Sequence, residues 1–242
     1  MRDWSMLDTH ARAFAAAGRS TILLAGSASD VEQAFDELVR RKVPGTYLGF
    51  SADRPPVRHG LAHVAALDDA AQIDAAILVE THLAPSIWYH GRCAPLQNRG
   101  VPVAVASTRP IFTTPPPYGN QGDLTYAGMF HLAAQFARSV GVPGDYVEFG
   151  LFDGRTMTLA YHTLAAAIPQ LRIIGFDTFA GISGTMPEEA DRFPEGSYYA
   201  NRATFDHNMA VARVNPKRLL VVEGDMRETL KDDAALRSRL GL

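Results

Sequence analysis

The fold of this chain is indicated most strongly by one stretch near its middle, Gly144-Asp145-Tyr146-Val147-Glu148-Phe149-Gly150-Leu151-Phe152-Asp153-Gly154. An apolar strand runs into an acidic residue, two glycines follow four positions apart, and a helical segment then begins. This order is typical of a parallel α/β sheet that brings its backbone close to a charged ligand. We therefore expect the turn after this strand to form part of a ligand site.

Two further strands lead to acidic residues in the same way. A predicted strand at Leu171–Phe176 is followed by Asp177, and a predicted strand at Leu219–Val222 leads through a turn to Asp225. Because the carboxyl ends of parallel strands meet at one edge of a sheet, we expect these acidic residues to lie close to Glu148.

The residue types at this edge suit the parts of an adenosyl ligand. Gly150 allows a sharp turn that exposes backbone N–H groups, and Gly154 removes a side chain where helix and ligand approach. The helix N-terminus near Arg155 favours a carboxylate or phosphate. A carboxylate at Asp177 can accept the hydrogen bonds of a ribose diol, and Asp225 can accept one from an adenine amino group.

Each acidic residue also has a purely structural interpretation. Glu148 and Asp177 can cap helices or pair with Arg172 or Arg155, and Gly224-Asp225 is also an ordinary turn. The trio in this context favours contact with a ligand, whereas a single acidic residue at a strand end would favour the structural role.

Strands and helices alternate along the rest of the chain, which predicts parallel sheets. Before the key stretch, strands are predicted at Ser20–Ala25, Tyr47–Phe50, Ala75–Val79 and Val101–Val105, and helices at 1–18, from a cap at Ser29 or Asp30 to Pro44-Gly45, and at 85–99. The second of these helices is expected to carry Val31, Ala34, Phe35, Leu38 and Val39 on one face. After the key stretch, helices are predicted near 155–167, 201–213 and 228–240.

A proline- and glycine-rich segment at 107–122 interrupts this pattern and predicts a linker. We therefore divide the chain into a small Rossmann-like α/β domain at 1–106, whose role is not readable, and a second α/β domain at 123–242. In the first domain, the turn Gly26-Ser27-Ala28-Ser29-Asp30 has neither a G-x-G-x-x-G pattern nor a phosphate-binding lysine, so we interpret it as structural.

Composition excludes several classes of function. The net charge is −3, from 23 basic and 26 acidic residues, and no basic run is present, so we expect no nucleic-acid partner. No apolar run is long enough to span a bilayer, so we expect no membrane partner. Cys93 is the only cysteine, which fits a reducing compartment, and we expect a cytoplasmic protein. His82, His90 and Cys93 match no common zinc spacing, so no metal site is predicted.

Three stretches in order resemble the front half of a class I S-adenosylmethionine-dependent methyltransferase. They are Pro143-Gly144-Asp145-Tyr146-Val147-Glu148-Phe149-Gly150, Gly175-Phe176-Asp177-Thr178-Phe179-Ala180-Gly181-Ile182 and Glu223-Gly224-Asp225-Met226-Arg227-Glu228-Thr229-Leu230. More narrowly, they resemble the TylF/MycF-like (macrocin-type) sugar O-methyltransferases of macrolide biosynthesis. Phe152 stands where commoner methyltransferases have the middle glycine of the loop, and that departure is typical of the narrower family. The resemblance covers just over a third of the chain.

The resemblance implies roles for individual residues. Glu148, Gly150 and Gly154 would hold the methionine part of S-adenosyl-L-methionine, Asp177 the ribose, and Asp225 with Met226 would border the adenine. It also implies Mg²⁺ that orients and acidifies a sugar hydroxyl, held by aspartates after later strands.

Those later strands are not visible in this sequence. The full fold of the family has seven strands, and the chain ends where the fourth should begin, so we expect a fragment that lacks the metal ligands and the catalytic base. A parallel sheet cut in mid-order would leave an apolar edge, which favours pairing with a second copy or aggregation.

The predicted function is therefore S-adenosylmethionine-dependent O-methylation of a small molecule, with a sugar hydroxyl as the suggested acceptor. Two alternatives stay open: a nucleotide-sugar or NAD-linked oxidoreductase, and a non-catalytic nucleotide-binding module. Tyr198 and Tyr199 either line an acceptor pocket or anchor a loop.

Overall fold

The computed structural model of the chain describes residues 3–67, 72–80, 93–107, 121–141, 144–185, 187–191, 193–231 and 233–241. Helices and parallel strands alternate along these residues, as predicted. The helices are α1 (Ser5–Ala16), α2 (Ala28–Arg40), α3 (Ala94–Gln97), α4 (Gln121–Val140), α5 (Arg155–Leu164), α6 (Arg202–Val211), α7 (Met226–Thr229) and α8 (Asp233–Leu240). The strands are β1 (Thr21–Ala25), β2 (Thr46–Phe50), β3 (Ala62–His63), β4 (Ala75–Glu80), β5 (Val103–Ser107), β6 (Tyr146–Phe149), β7 (Ile173–Asp177) and β8 (Leu219–Glu223).

Strands β1 to β5 form a parallel sheet in the order β3-β2-β1-β4-β5. Its central strand is apolar on both faces, since Ile22 and Leu24 pack with α1 and α2 while Leu23 packs with α3. Burial on both faces is what an uninterrupted apolar strand predicts for a parallel sheet. We call residues 3–107 the first unit.

Helix α2 differs from its prediction at both ends. Ser27 caps it, because its side-chain oxygen accepts a hydrogen bond from the N–H of Asp30. The helix ends at Arg40, and Lys42 follows with a left-handed φ of 54°. Val39 does not share the buried face on which the sequence placed it, because its side chain is 56% exposed whereas the other four residues of that face are buried.

Strands β6 to β8 form a second parallel sheet in the order β6-β7-β8. Helices α4, α5 and α6 cover one face, where Met157, Ile173 and Phe205 are fully buried. On the other face α8 packs against Ile174, Phe176 and Val222. We call residues 121–241 the second unit.

The second unit exposes apolar side chains both on its edge strand and on α4. Val147 and Phe149 of β6 are 46% and 55% exposed, and Met129, Leu132 and Phe136 of α4 are exposed as well. Within the described residues, β6 pairs on one side only, with β7.

Some boundaries differ from the sequence predictions. The predicted last helix at 228–240 consists of two helices, α7 and α8, and strand β3 is too short for an apolar pattern to reveal. The helix predicted at 85–99 falls within the described residues only from residue 93 onward, and there the structure has α3. Most of the predicted linker at 107–122 lies outside the described residues, as do His82 and His90, so the domain boundary stays a prediction.

Helix α6 joins the two units. The backbone N–H of Val103 in β5 donates to Oγ1 of Thr204 at 2.8 Å. Nδ1 of His10 in α1 lies 2.9 Å from Nε2 of His207, whose ring stacks on Phe14 with the ring centroids 3.8 Å apart. One helix of the second unit is therefore packed against both α1 and the edge strand of the first sheet.

Among the described residues, none of the helices combines the length and the apolar character that crossing a membrane requires.

The His10–His207 pair predicts an acid-sensitive contact. Burial lowers the pKa of His10 to about 4 and, with the nearby His10 and Arg19, that of His207 to about 3. Between these values and the unfolded pKa of about 6.5, the unfolded chain binds more protons. The free energy of unfolding should therefore fall as the pH drops from 6.5 towards 4, by up to about 1.4 kcal/mol per pH unit for each imidazole.

Denaturant unfolding at several pH values checks this. His207→Phe keeps a ring against Phe14, and its free energy of unfolding should fall less steeply with decreasing pH than that of the native chain. His59→Gln, at an exposed histidine, should leave the slope unchanged. Equal slopes in the native chain and His207→Phe would contradict the prediction.

Candidate functional site

A pocket of about 600 Å³ lies at the carboxyl edge of the second sheet. This volume is within the usual range for small-molecule sites. The three strand ends contribute Gly150, Phe152, Asp177, Thr178, Asp225, Met226 and Arg227, and the loop after β7 contributes Gly181, Ile182, Ser183, Phe193 and Tyr198. Four of the six site residues chosen from the sequence, Gly150, Asp177, Asp225 and Met226, therefore line one pocket.

Asp177 organises the loop between β6 and α5. Its Oδ2 accepts hydrogen bonds from the backbone N–H groups of Leu151 and Phe152, and its Oδ1 accepts one from Phe179. A carboxylate has about four acceptor sites, so roughly one remains for a ligand. Asp177 therefore has a structural role beside the pocket and can offer a ribose one hydrogen bond rather than two.

Several backbone N–H groups that the sequence predicted to face a ligand at the turn after β6 are bonded within the chain. Besides the two N–H groups that Asp177 accepts, the N–H of Gly150 donates to the carbonyl of Phe176 and that of Arg155 donates to Asp153. These donors are satisfied within the chain, so the turn does not present them to a phosphate.

Asp225 caps α7 and pairs with Arg227. Its Oδ1 accepts from the N–H of Arg227, and its Oδ2 lies 2.6 Å from Nη2 of the same arginine. The Arg227 guanidinium lowers the pKa of Asp225 to about 2, so this carboxylate is ionised at neutral pH. Met226 packs beside it against Phe176 and Val222. Asp225, for which the sequence offered an ordinary turn as the structural interpretation, is thus a helix cap that also lines the pocket.

Gly154 does not line the pocket. A Cβ at this position would lie 2.5 Å from Cε of Met209 and 2.9 Å from the ring of Phe205, and φ is +81°. The structure thus explains this glycine by the close packing of α5 against α6. Gly150 differs, because φ is +83° but a Cβ there would meet no atom within 4 Å.

Glu148 lies on the helix-covered face of β6 and is also absent from the pocket lining. The hydroxyl of Tyr146 donates to its Oε2 at 2.8 Å. Burial raises the pKa of Glu148 to about 7, and the neighbouring charges of Asp153 and Asp177 act in the same direction. The carboxyl is therefore close to half protonated at neutral pH. Arg172 pairs instead with Asp145, and Arg155 lies nearest Asp153.

Three aromatic rings form one wall of the pocket. The ring of Tyr198 lies 6.2 Å from those of Phe152 and Phe193. Phe152 and Tyr198 both have left-handed φ angles, of 50° and 55°, which are strained for non-glycine residues. Sequence reasoning missed Phe193, and the only signal for Phe152 was its replacement of a glycine. Tyr198 lines the pocket, whereas the backbone of Tyr199 is anchored to the first unit.

The turn at Ser27 is closed by the chain itself. The N–H of Ala28, at the start of α2, donates to the carboxylate of Asp53, which also accepts from the Ser51 hydroxyl. A carboxylate thus occupies the place where a phosphate would bind a helix N-terminus.

Metal-binding and reactive-thiol chemistry find no support in the parts of the chain that the structure describes. No group of three His, Cys, Asp or Glu side chains there is arranged to hold a metal ion. Cys93 is buried, and burial raises its pKa to about 12.

No protein-family model matches the chain, and no curated protein matches it. Similar solved structures include the O-methyltransferase NovP, which is 15% identical with a TM-score of 0.39, over 45% of this chain and 48% of NovP. Another is CalS11, a calicheamicin methyltransferase, 24% identical with a TM-score of 0.37 over 50% of this chain and 51% of CalS11. A threonine deaminase is 16% identical with a TM-score of 0.27, over 99% of this chain and 73% of that chain.

The chain thus spans about half the length of the two methyltransferases. TM-scores this low carry no argument about activity, so the function must be argued from the site itself.

The two glycines predict different effects on substitution. Gly154→Ala should lower the free energy of unfolding by about 2–4 kcal/mol, because it adds both left-handed strain and a clash with α6. Gly150→Ala should cost only the strain, about 1–2 kcal/mol, while placing a methyl group at the pocket. Denaturant unfolding measures both, and Gly18→Ala, at a left-handed glycine with open space, is the control for strain alone. An equal loss of stability in Gly150→Ala and Gly154→Ala would contradict this assignment.

Proposed function

We propose that the second unit binds S-adenosyl-L-methionine and that the protein is an S-adenosylmethionine-dependent O-methyltransferase of a small molecule. The observation that carries the proposal is the pocket in which Gly150, Asp177, Asp225 and Met226 meet from three neighbouring strand ends. The order of their motifs in the sequence supports the same assignment. A sugar hydroxyl as acceptor and membership of the TylF/MycF-like family are the finer parts of the proposal, supported by the sequence resemblance.

The charge of the site favours a cationic ligand over a nucleotide diphosphate. Four backbone N–H groups of the turn, those of Gly150, Leu151, Phe152 and Arg155, are used within the chain, and the carboxyl groups of Glu148, Asp153 and Asp177 lie around it. A pyrophosphate would need free N–H donors and would be repelled by these carboxylates. The ammonium and sulfonium groups of S-adenosylmethionine carry the complementary charge, which disfavours the NAD-linked alternative.

The described residues suit binding and orientation. When bound, S-adenosylmethionine supplies the methyl group for an in-line displacement. Asp177 offers its remaining acceptor site to the ribose, Asp225 stands ionised beside Met226, and the aromatic wall limits the access of water. Alignment of this kind supplies much of the rate enhancement of a group transfer.

The proton of the acceptor hydroxyl requires a base, and the proposal assigns that role to none of the described residues. The resemblance implies Mg²⁺, but the described residues do not fit a metal site, so we derive no step through it. The uncovered face at Val147 and Phe149 supports the hypothesis that further elements complete the sheet.

The proposal includes a small-molecule acceptor, no nucleic-acid or membrane partner, and a cytoplasmic location that the single cysteine fits. Pairing of two copies through the uncovered face of β6 is a further hypothesis.

Calorimetric titration tests the cofactor assignment. We expect the chain to bind S-adenosylhomocysteine and to give no heat of binding with NAD. Asp177→Ala should weaken S-adenosylhomocysteine binding by about 1–3 kcal/mol, the usual loss for a hydrogen bond to a charged group. Asp206→Ala removes an exposed carboxylate of α6 outside the pocket and should leave the affinity unchanged. Binding of NAD alone would favour the oxidoreductase alternative, and an unchanged affinity in a folded Asp177→Ala would remove Asp177 from the site.

The raised pKa of Glu148 predicts how binding depends on pH. A cationic ligand should lower this pKa from about 7, so binding should release protons. The affinity for S-adenosylmethionine should therefore fall as the pH drops from 7.5 to 5.5, by at most about tenfold per pH unit.

Glu148→Gln should bind more weakly and lose this pH dependence. Glu223→Gln, at an exposed glutamate that pairs with Arg202, serves as the control and should keep it. Titration in buffers of different ionisation enthalpy counts the released protons directly. An identical pH profile in Glu148→Gln and the native chain would show that another group is responsible.

A further inference from the structure

One buried glutamine connects the first unit to the backbone beside the pocket. Gln97, at the end of α3, is 1% exposed. Its Oε1 accepts a hydrogen bond from the N–H of Asn201 at 2.7 Å, and its Nε2 donates to the carbonyl of Tyr199 at 3.3 Å. A single side chain thus holds the backbone at two positions just before α6.

The side chain of Asn201 completes this junction. Its Nδ2 donates to the backbone carbonyls of Gln97 and Val101, at 2.8 and 2.9 Å. Its Oδ1 accepts from the N–H of Thr204 and so caps α6. Because these groups are buried, breaking their hydrogen bonds would leave unsatisfied polar atoms, which makes the junction rigid.

The junction continues into the pocket wall through backbone hydrogen bonds. Ile182 donates its N–H to the carbonyl of Ser197 and accepts from the N–H of Gly196, at 2.9 and 2.8 Å. A Cβ on Gly181 would lie 2.8 Å from the carbonyl oxygen of Gly196, so the two segments of the loop are in close contact. Residues 181–183 and 196–198 therefore form one wall, which we call the loop wall.

Tyr198 lies between the two attachments. Ser197 on one side is bonded to Ile182, and Tyr199 on the other is bonded to Gln97. The left-handed φ of Tyr198 is strained, and such a conformation persists only where the neighbouring residues hold it. Its ring packs beside those of Phe152 and Phe193 in the aromatic wall of the pocket.

We propose that the first unit acts as a brace for the ligand pocket and that Gln97 is the positioning residue through which it holds Tyr198 and the loop wall. Gln97 does not line the pocket and acts through the backbone of Tyr199 and Asn201. The effect on ligand affinity rests on the proposed function, whereas the effect on the loop wall does not depend on any ligand.

The full chain offers a matched pair of variants. Gln97→Met keeps the length and volume of the side chain but removes both of its hydrogen bonds to the 199–201 backbone. Thr204→Val removes a different buried hydrogen bond between the units, the one from the N–H of Val103, and that bond ends on α6 and not on the loop wall. Hydrogen–deuterium exchange and calorimetric titration with S-adenosylhomocysteine are measured on both.

Gln97→Met should speed amide exchange at Ile182, Gly196 and 199–201 by at least about tenfold, as expected for a local opening, and weaken S-adenosylhomocysteine binding by at least about fivefold. Thr204→Val should change exchange of the loop wall and affinity by less than about twofold, although both variants unfold at lower temperature. If Gln97→Met does not fold, Gln97→Glu, which keeps the acceptor for Asn201 but loses the donor to Tyr199, should show the faster exchange.

Unchanged exchange of the loop wall in a folded Gln97 variant would overturn the proposal, and so would an equal effect of Thr204→Val. If the native chain binds no S-adenosylhomocysteine while Gln97→Met still loosens the loop wall, the proposed function fails and the brace is supported.

Discussion

The carboxylate of Asp177 determines the shape of the pocket, because it accepts backbone hydrogen bonds from the loop after β6 and from its own strand end. These bonds hold the loop after β6 against the carboxyl end of β7. They also consume the donors that a glycine-containing turn would otherwise present to an anion. Asp177, which the sequence predicts as a ligand contact, is therefore first a structural residue, and roughly one acceptor position of its carboxylate is left over.

This arrangement gives the pocket its electrostatic character. The Asp177 carboxylate accepts hydrogen bonds from N–H groups that would otherwise attract an anion, so the turn carries negative charge where free N–H groups would be positive. The carboxyl of the buried Glu148 adds to this negative charge when it is ionised. Two parallel sheets of the same architecture can thus prefer ligands of opposite charge. The preference depends on whether the turn after the first strand presents free N–H groups or a carboxylate that accepts their hydrogen bonds.

Much of the fold could be predicted from the sequence, since apolar strands such as 21–25 and 173–177 are buried wherever a parallel sheet is covered on both faces. The meeting of Asp177 and Asp225 at one edge followed from the same topology. Local alternatives were harder, as Ser27 rather than Ser29 or Asp30 caps α2. Pattern could not reveal that Gly154 accommodates Met209, or that Gln97 reaches Asn201, because these contacts join residues far apart in the sequence. A glycine in the sequence does not show whether it is required by a left-handed φ alone, as at Gly150, or also by a close neighbour, as at Gly154.

The carboxylate of Asp53 at the start of α2 has a consequence for the first unit as a whole. In nucleotide-binding sheets the corresponding position is filled by a diffusible anion, so part of the order of the protein rises and falls with ligand concentration. Here the negative charge at the helix N-terminus belongs to Asp53, a residue of the same chain, so its local concentration does not vary. The start of α2 therefore keeps its counter-charge whether or not a small anion is present.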